Sequence, residues 1–138
     1  MAQYTATQTA EVPAAPQGLS SQFAIVAPGG TNVYVNGWTN AAFFQSVTVT
    51  FPGSSVGPLS LSGQGDNNKP MTPANASVQV PSAGILQVQV NISPAIAIQN
   101  SGANFGNFVG SQLVFSEDRE NGDDHNDSVV LFMWYPGQ

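Results

Sequence analysis

From Phe23 onward the chain keeps returning to a period of two. In FQSVTVTF (44–51), Val47, Val49 and Phe51 fall on one side of an extended backbone, and Ser46, Thr48 and Thr50 on the other. ILQVQVNI (85–92) sets Leu86, Val88, Val90 and Ile92 against Gln87, Gln89 and Asn91 in the same way. Successive side chains of a strand point to opposite faces, so this alternation builds a half-buried antiparallel strand; wound into a helix it would scatter the apolar residues. Shorter runs repeat the signal between Gly, Pro and Asn punctuation: FAIVA (23–27), VYVNGW (33–38), PLSLS (58–62), SVQV (77–80), AIAI (95–98), SQLVFS (111–116) and SVVLFMWY (128–135). No stretch carries helical periodicity beyond a turn. The expectation is an all-β fold: an antiparallel β-sandwich of about nine short strands, of Greek-key type, or the related barrel.

The last run breaks the rule. Val129 to Trp134 are continuously apolar, whereas an outer sheet face in a two-layer protein is normally polar. Either this strand is central and covered on both sides, or its second face meets another subunit. Because neighbouring strands do alternate, the subunit contact is the favoured expectation.

Residues 1–20 are polar, rich in Ala, Thr, Gln and Pro, and aperiodic. They read as a mobile N-terminal arm, or an edge extension that orders on assembly, leaving 21–138 as a single domain. The N-terminus lacks the basic start and apolar core of a standard signal peptide, so cytoplasmic residence with another export route, or association with a cell surface, is the expectation. No segment suggests membrane insertion.

Charge is scarce: only 7% of residues are charged, against the roughly 25% usual in soluble domains. Solubility must come from Ser, Thr, Asn, Gln and Gly. With two basic residues and a net charge of −6, the chain cannot neutralise several phosphates, which excludes nucleic acid as a partner and disfavours anionic membranes. The absence of cysteine removes disulfide and thiol chemistry.

Against that background, SEDRENGDDHNDSVV (116–130) stands out. Six of the eight acidic residues fall between Glu117 and Asp127, with Arg119 the one cation among them. Crowded carboxylates raise one another's pKa, and a bound divalent cation turns that repulsion into coordination. Glu117, Asp123, Asp124, Asn126 and Asp127 offer hard oxygens only. Zinc is disfavoured, since the segment has no Cys and only His125. Calcium, with six to eight oxygen ligands in flexible geometry, fits best, and magnesium ranks second. The order is not that of an EF-hand. The plain alternative is a solvated acidic loop, but acid is nearly absent elsewhere and Asn126 is interleaved with the acids, so a metal site is favoured. Catalysis is a weak reading: adjacent carboxylates would be consumed as ligands, and His125 has no Ser–His–Asp arrangement around it.

S-E-D, a spacer, then D-x-N-D followed by V-V and a Trp near the C-terminus resembles the fucose-binding lectin II family, bacterial lectins that hold two adjacent calcium ions. TNVYVNGWTNAAFFQSVTV (31–49), GDNNKP (65–70), GILQVQVNI (84–92) and QLVFSED extend the likeness over about residues 21 to 138. The resemblance implies a β-sandwich in which two calcium ions per subunit bind the sugar directly. It further implies that Glu117, Asp124, Asn126 and Asp127 are calcium ligands, with Asn40 contributed by an earlier loop. Asp118 corresponds to a residue that hydrogen-bonds sugar hydroxyls, beside sugar contacts from Asp124, Asn126 and Asp127. Ala41, Ala42 and Phe43 occupy the specificity loop, whose Ala-Ala start is similar to that of mannose-preferring members, while Phe43 departs from the usual small or polar residue. The loop is one residue longer than in the family; counting from Asp127 puts Gly122 at a ligand position, and a shifted gap puts Asp123 there, which is preferred because it has a carboxylate to offer. In the family a C-terminal Gly carboxylate reaches the partner subunit's calcium; Gly137 matches in position, and Gln138 follows it.

The expectation is therefore a non-enzymatic, calcium-dependent lectin for mannose- or fucose-type glycans, acting as a homodimer or homotetramer. The alternative is a structural or adhesive β-domain whose calcium only orders the acidic loop.

Overall fold

A computed structural model describes residues 18–118 and 126–136, together with the backbone of residues 8–9. Among these residues there is no helix, and so none long and apolar enough to cross a membrane. The strands are β1 (Gln8–Thr9), β2 (Leu19–Val26), β3 (Asn32–Thr50), β4 (Leu59–Pro70), β5 (Ala76–Gln79), β6 (Ile85–Ser93), β7 (Ala97–Phe105), β8 (Val109–Glu117) and β9 (Ser128–Trp134). They form one antiparallel sheet in the order β1-β7-β8-β9-β3-β6-β2, with β4 and β5 also paired to β3. The expected all-β antiparallel architecture is realised as a single sheet curled on itself. Phe23 of β2 meets Phe132 of β9 edge-on, ring centroids 5.1 Å apart, although β3 and β6 lie between those strands in the sheet order. The edges come together where Asn100 of β7 donates its amide to the Ser21 hydroxyl of β2, so the sheet is nearly closed like a barrel. Closure hides backbone groups that an open edge would offer to other chains.

The core follows the period-two reading. Val47, Val49 and Phe51 are buried with Val88, Val90 and Ile92 of β6 and with Val33 and Val35 of β3. Trp134 belongs to this core, and the close approach of its indole explains Gly110 on the paired strand. A Cβ at Gly110 would lie 2.1 Å from Trp134 Cε2.

Four strands differ from the sequence expectation in three ways. VYVNGW and FQSVTVTF are not separate strands but parts of β3, which changes partners along its length. Its first part is flanked by β9 and β5, and its last part by β6 and β4. A bulge joins the two: Ala41 pairs with Gly65 and Gln45 with Gly63, so three residues of β3 stand opposite one of β4. A bulge of this kind bends a strand and re-aims its side chains, and it leaves no Gly or Pro in the sequence to announce it. β7 and β4 also run on into QNSGANF and GQGDNNKP, polar stretches whose outward positions gave no alternation to read. Third, β9 alternates in burial despite its continuous apolar sequence. Val130, Phe132 and Trp134 point into the core, while Val129, Leu131 and Met133 are half-buried on the outer face. There, Leu131 and Met133 border a cleft of about 600 Å3 together with Tyr34, Asn36, Asn75 and Tyr135.

Candidate functional site

The site is made where β8 ends, β9 begins and β3 bulges. Ser116 and Ser128 are register partners at the ends of β8 and β9. The ladder continues one step further, Asp127 N donating to Ser116 O at 3.1 Å, so both ends of the acidic connection are anchored in the sheet. Asn40 N donates to Asp127 O at 3.1 Å and Ile96 N to Glu117 O at 2.8 Å, which ties these ends to β3 and to the approach to β7.

Three carboxylates converge there. Glu117, Asp118 and Asp127 each place an oxygen within 4.8 Å of the others. They are only 3%, 4% and 7% exposed. For these residues the solvated-loop reading fails, because a solvated acid would be open to water. Asp127 Oδ2 accepts a hydrogen bond from Asp118 N at 2.9 Å. Its pKa is nevertheless pushed up from 3.8 to about 8, chiefly by burial; the hydrogen bond from Asp118 N opposes the shift, and the Glu117 and Asp118 carboxylates add to it. Burying acids side by side is unfavourable unless a cation joins them.

The donor set fits a hard cation. Besides the carboxylates, Asn126 Oδ1 is a buried acceptor with no hydrogen-bond partner. An amide oxygen left without a donor beside three acids is what a calcium ligand looks like in the metal-free state. Asn40 comes to the same place. Its Nδ2 donates to Asn126 O at 3.2 Å and its Oδ1 accepts from Asn68 N at 2.5 Å, so the side chain braces the chain around Asn126. Asp123 and Asp124, with Gly122 and His125 beside them, lie outside the described residues, as do Gly137 and Gln138.

Next to the cluster opens a cavity of about 320 Å3, at the small end of the range usual for small-ligand sites. Asn40, Ala41, Ala42 and Phe43 line it together with Asp66, Asp118 and Asp127. The structure thus brings the expected specificity residues 41–43 and the acidic pair Asp118 and Asp127 around one space. Asp66 was not anticipated. It arrives because β4 arches over the bulge through Gly65, Asn67 and Asn68, all with positive φ, a geometry that no periodicity signals.

Gln45 was not anticipated either. It is fully buried, and Nε2 donates to Asp118 Oδ2 at 3.0 Å and to Phe43 O at 3.2 Å, while Oε1 accepts from Ser128 Oγ at 2.6 Å. One amide therefore links the bulge, the acidic end of β8 and the start of β9. A signal was present: Gln45 shares the inward phase of Val47, Val49 and Phe51, and a polar side chain in an apolar row needs a partner. Gln45→Leu strands the Ser128 hydroxyl and removes a donor from Asp118. We expect it to lower stability by about 2–3 kcal/mol, checked by urea denaturation at constant m-value.

Comparison with known proteins bears on this geometry. The family model for fucose-binding lectin II (PA-IIL) matches residues 25–136. Three solved structures share the fold, each with a TM-score of 0.63. The Chromobacterium violaceum lectin CV2L, solved in complex with alpha-methyl-fucoside, is 24% identical over 80% of this chain and 94% of its own. A Ralstonia solanacearum high-affinity mannose-binding lectin is 22% identical, with the same coverage. The C-terminal domain of the BC2L-C lectin from Burkholderia cenocepacia is 18% identical over 84% of this chain and 97% of its own. No curated protein matches the sequence.

Proposed function

The chain belongs to the fucose-binding lectin II family, carbohydrate-binding proteins rather than enzymes, and from that premise we propose that it is a calcium-dependent lectin for mannose- or fucose-type sugars. The observation that carries the calcium dependence is the convergence of Glu117, Asp118 and Asp127, all buried, beside the partnerless Asn126 Oδ1. Glu117, Asn126 and Asp127 would hold the metal together with Asn40, Asp123 and Asp124, as two ions per subunit. Bound calcium supplies concentrated positive charge and open coordination positions that sugar hydroxyl oxygens can fill in place of water.

The protein's own groups do the rest. Gln45 donates to Asp118 Oδ2 and so holds this carboxylate, which borders the cavity and would accept a hydrogen bond from a sugar hydroxyl. Hydrogen bonds to an ionised acceptor are the stronger class, so this contact favours a correctly placed hydroxyl over water. Ala41, Ala42 and Phe43 border the same cavity and would limit which stereochemistry fits. Binding occurs within a domain of residues 21–138, to which the N-terminal arm of residues 1–20 is joined through β1, paired with β7, and through the start of β2. The protein works as a homodimer or homotetramer in which the outer apolar row of β9 meets a second copy. Multivalency raises avidity over single-site affinity by about 10²–10⁴ where the geometry allows both sites to engage.

Titration calorimetry with methyl α-mannoside and methyl α-fucoside, with and without chelator, tests this reading. Heat in calcium that vanishes on chelation is expected. Calcium uptake with no response to a broad glycan panel would leave only a loop-ordering metal. Asp118→Ala should weaken sugar binding more than tenfold while changing calcium affinity by less; equal losses of both would make Asp118 a metal ligand instead.

A further inference from the structure

We propose that Phe43 is an aromatic wall of the sugar site and selects glycosides that carry an apolar aglycone; this rests on the lectin reading above. Phe43 is 47% exposed and lines the same cavity as Asp118 and Asp127. A large apolar ring left half in water on the lining of such a cavity gains by being covered.

The bulge that carries it is built rather than loose. Ala42 O accepts from Gln64 Nε2 at 2.6 Å, and Phe43 O accepts from the buried Gln45 Nε2 at 3.2 Å. Two consecutive carbonyls are thus held by glutamines from different strands, so the backbone that aims the ring is set before any ligand arrives. Preorganisation of this kind removes part of the ordering cost of binding.

The cavity lining combines two chemistries: the acids Asp66, Asp118 and Asp127, and the apolar Ala41, Ala42 and Phe43. A pyranose whose hydroxyls meet the acids would present its hydroxyl-free edge, or the group attached there, to the apolar residues. The alanine methyls are too short to cover a substituent, whereas the Phe43 ring can. Phe44 is a natural control. It is 55% exposed, adjacent in sequence and of the same chemistry, but it does not border the cavity.

The test compares phenyl and methyl α-glycosides of mannose and fucose by calorimetry in saturating calcium. With the unaltered protein the phenyl glycoside should bind roughly fivefold tighter than the methyl glycoside, the scale of one added aromatic contact. In Phe43→Ala that ratio should fall to about one, while Phe44→Ala keeps the preference. A calcium-dependent melting shift retained in Phe43→Ala shows that the variant is folded. Equal affinity for both glycosides in the unaltered protein, or a preference that survives Phe43→Ala, overturns the aromatic wall and leaves the lectin reading intact. If none of the four glycosides binds in calcium, the lectin reading itself falls and the wall with it.

Discussion

Asp127→Ala is expected to abolish calcium uptake and, with it, sugar binding. The carboxylate is one of three acids within 4.8 Å, and it also fixes its neighbour by accepting from Asp118 N. Losing even a residue that merely supports a metal ligand costs about 10- to 100-fold in affinity, so losing this one should exceed 100-fold. The backbone should survive, because Asp127 N and O are engaged with Ser116 O and Asn40 N, and alanine keeps both bonds. The variant should therefore fold, remain indifferent to calcium in thermal melts, and give no heat with either methyl glycoside. A calcium affinity close to that of the unaltered protein would remove Asp127 from the site.

Chelation is expected to have the next largest effect. A ligand present at 100 times its dissociation constant stabilises a fold by about 2.7 kcal/mol, which for a domain of this size is a drop in melting temperature of roughly 10 °C when the metal is stripped. The metal-free protein should also respond to pH in a defined direction. Asp127 has its folded pKa raised to about 8 from 3.8, so the fold favours the protonated form. The stability this contributes is fully present below pH 4 and is lost as pH rises toward 8. In EDTA, the melting temperature should thus fall across that window. Calcium replaces the proton, so calcium uptake near neutrality should release protons, and affinity should climb up to about pH 8. Melting curves that do not change with EDTA, or a metal-free protein whose stability rises between pH 4 and 8, would contradict the site's electrostatics.

Much of the site was legible because its chemistry is concentrated. Six acids in eleven residues, in a chain otherwise almost free of charge, cannot be hidden by folding, and Glu117, Asp118 and Asp127 stand together. The rest was dispersed. Asp66 is a lone acid in a Gly- and Asn-rich stretch, and its approach depends on the positive φ of Gly65, Asn67 and Asn68 on either side of it. Gln45 carried a phase signal, but phase alone does not say which neighbour meets a buried amide.

Local alternation decided the strands, the inward rows and the all-β class, because side-chain direction in an extended chain is a local property with period two. The crowding of acids between two anchored strands likewise made a cation site the natural reading. Tertiary structure alone decided that two apparent strands are one bent by a bulge, that Gln45 bridges the bulge to Asp118 and Ser128, and that β4 brings Asp66 to the cavity. Those depend on which strands become neighbours, and pairing between residues far apart in sequence is set by the closure of the whole sheet rather than by any segment within it.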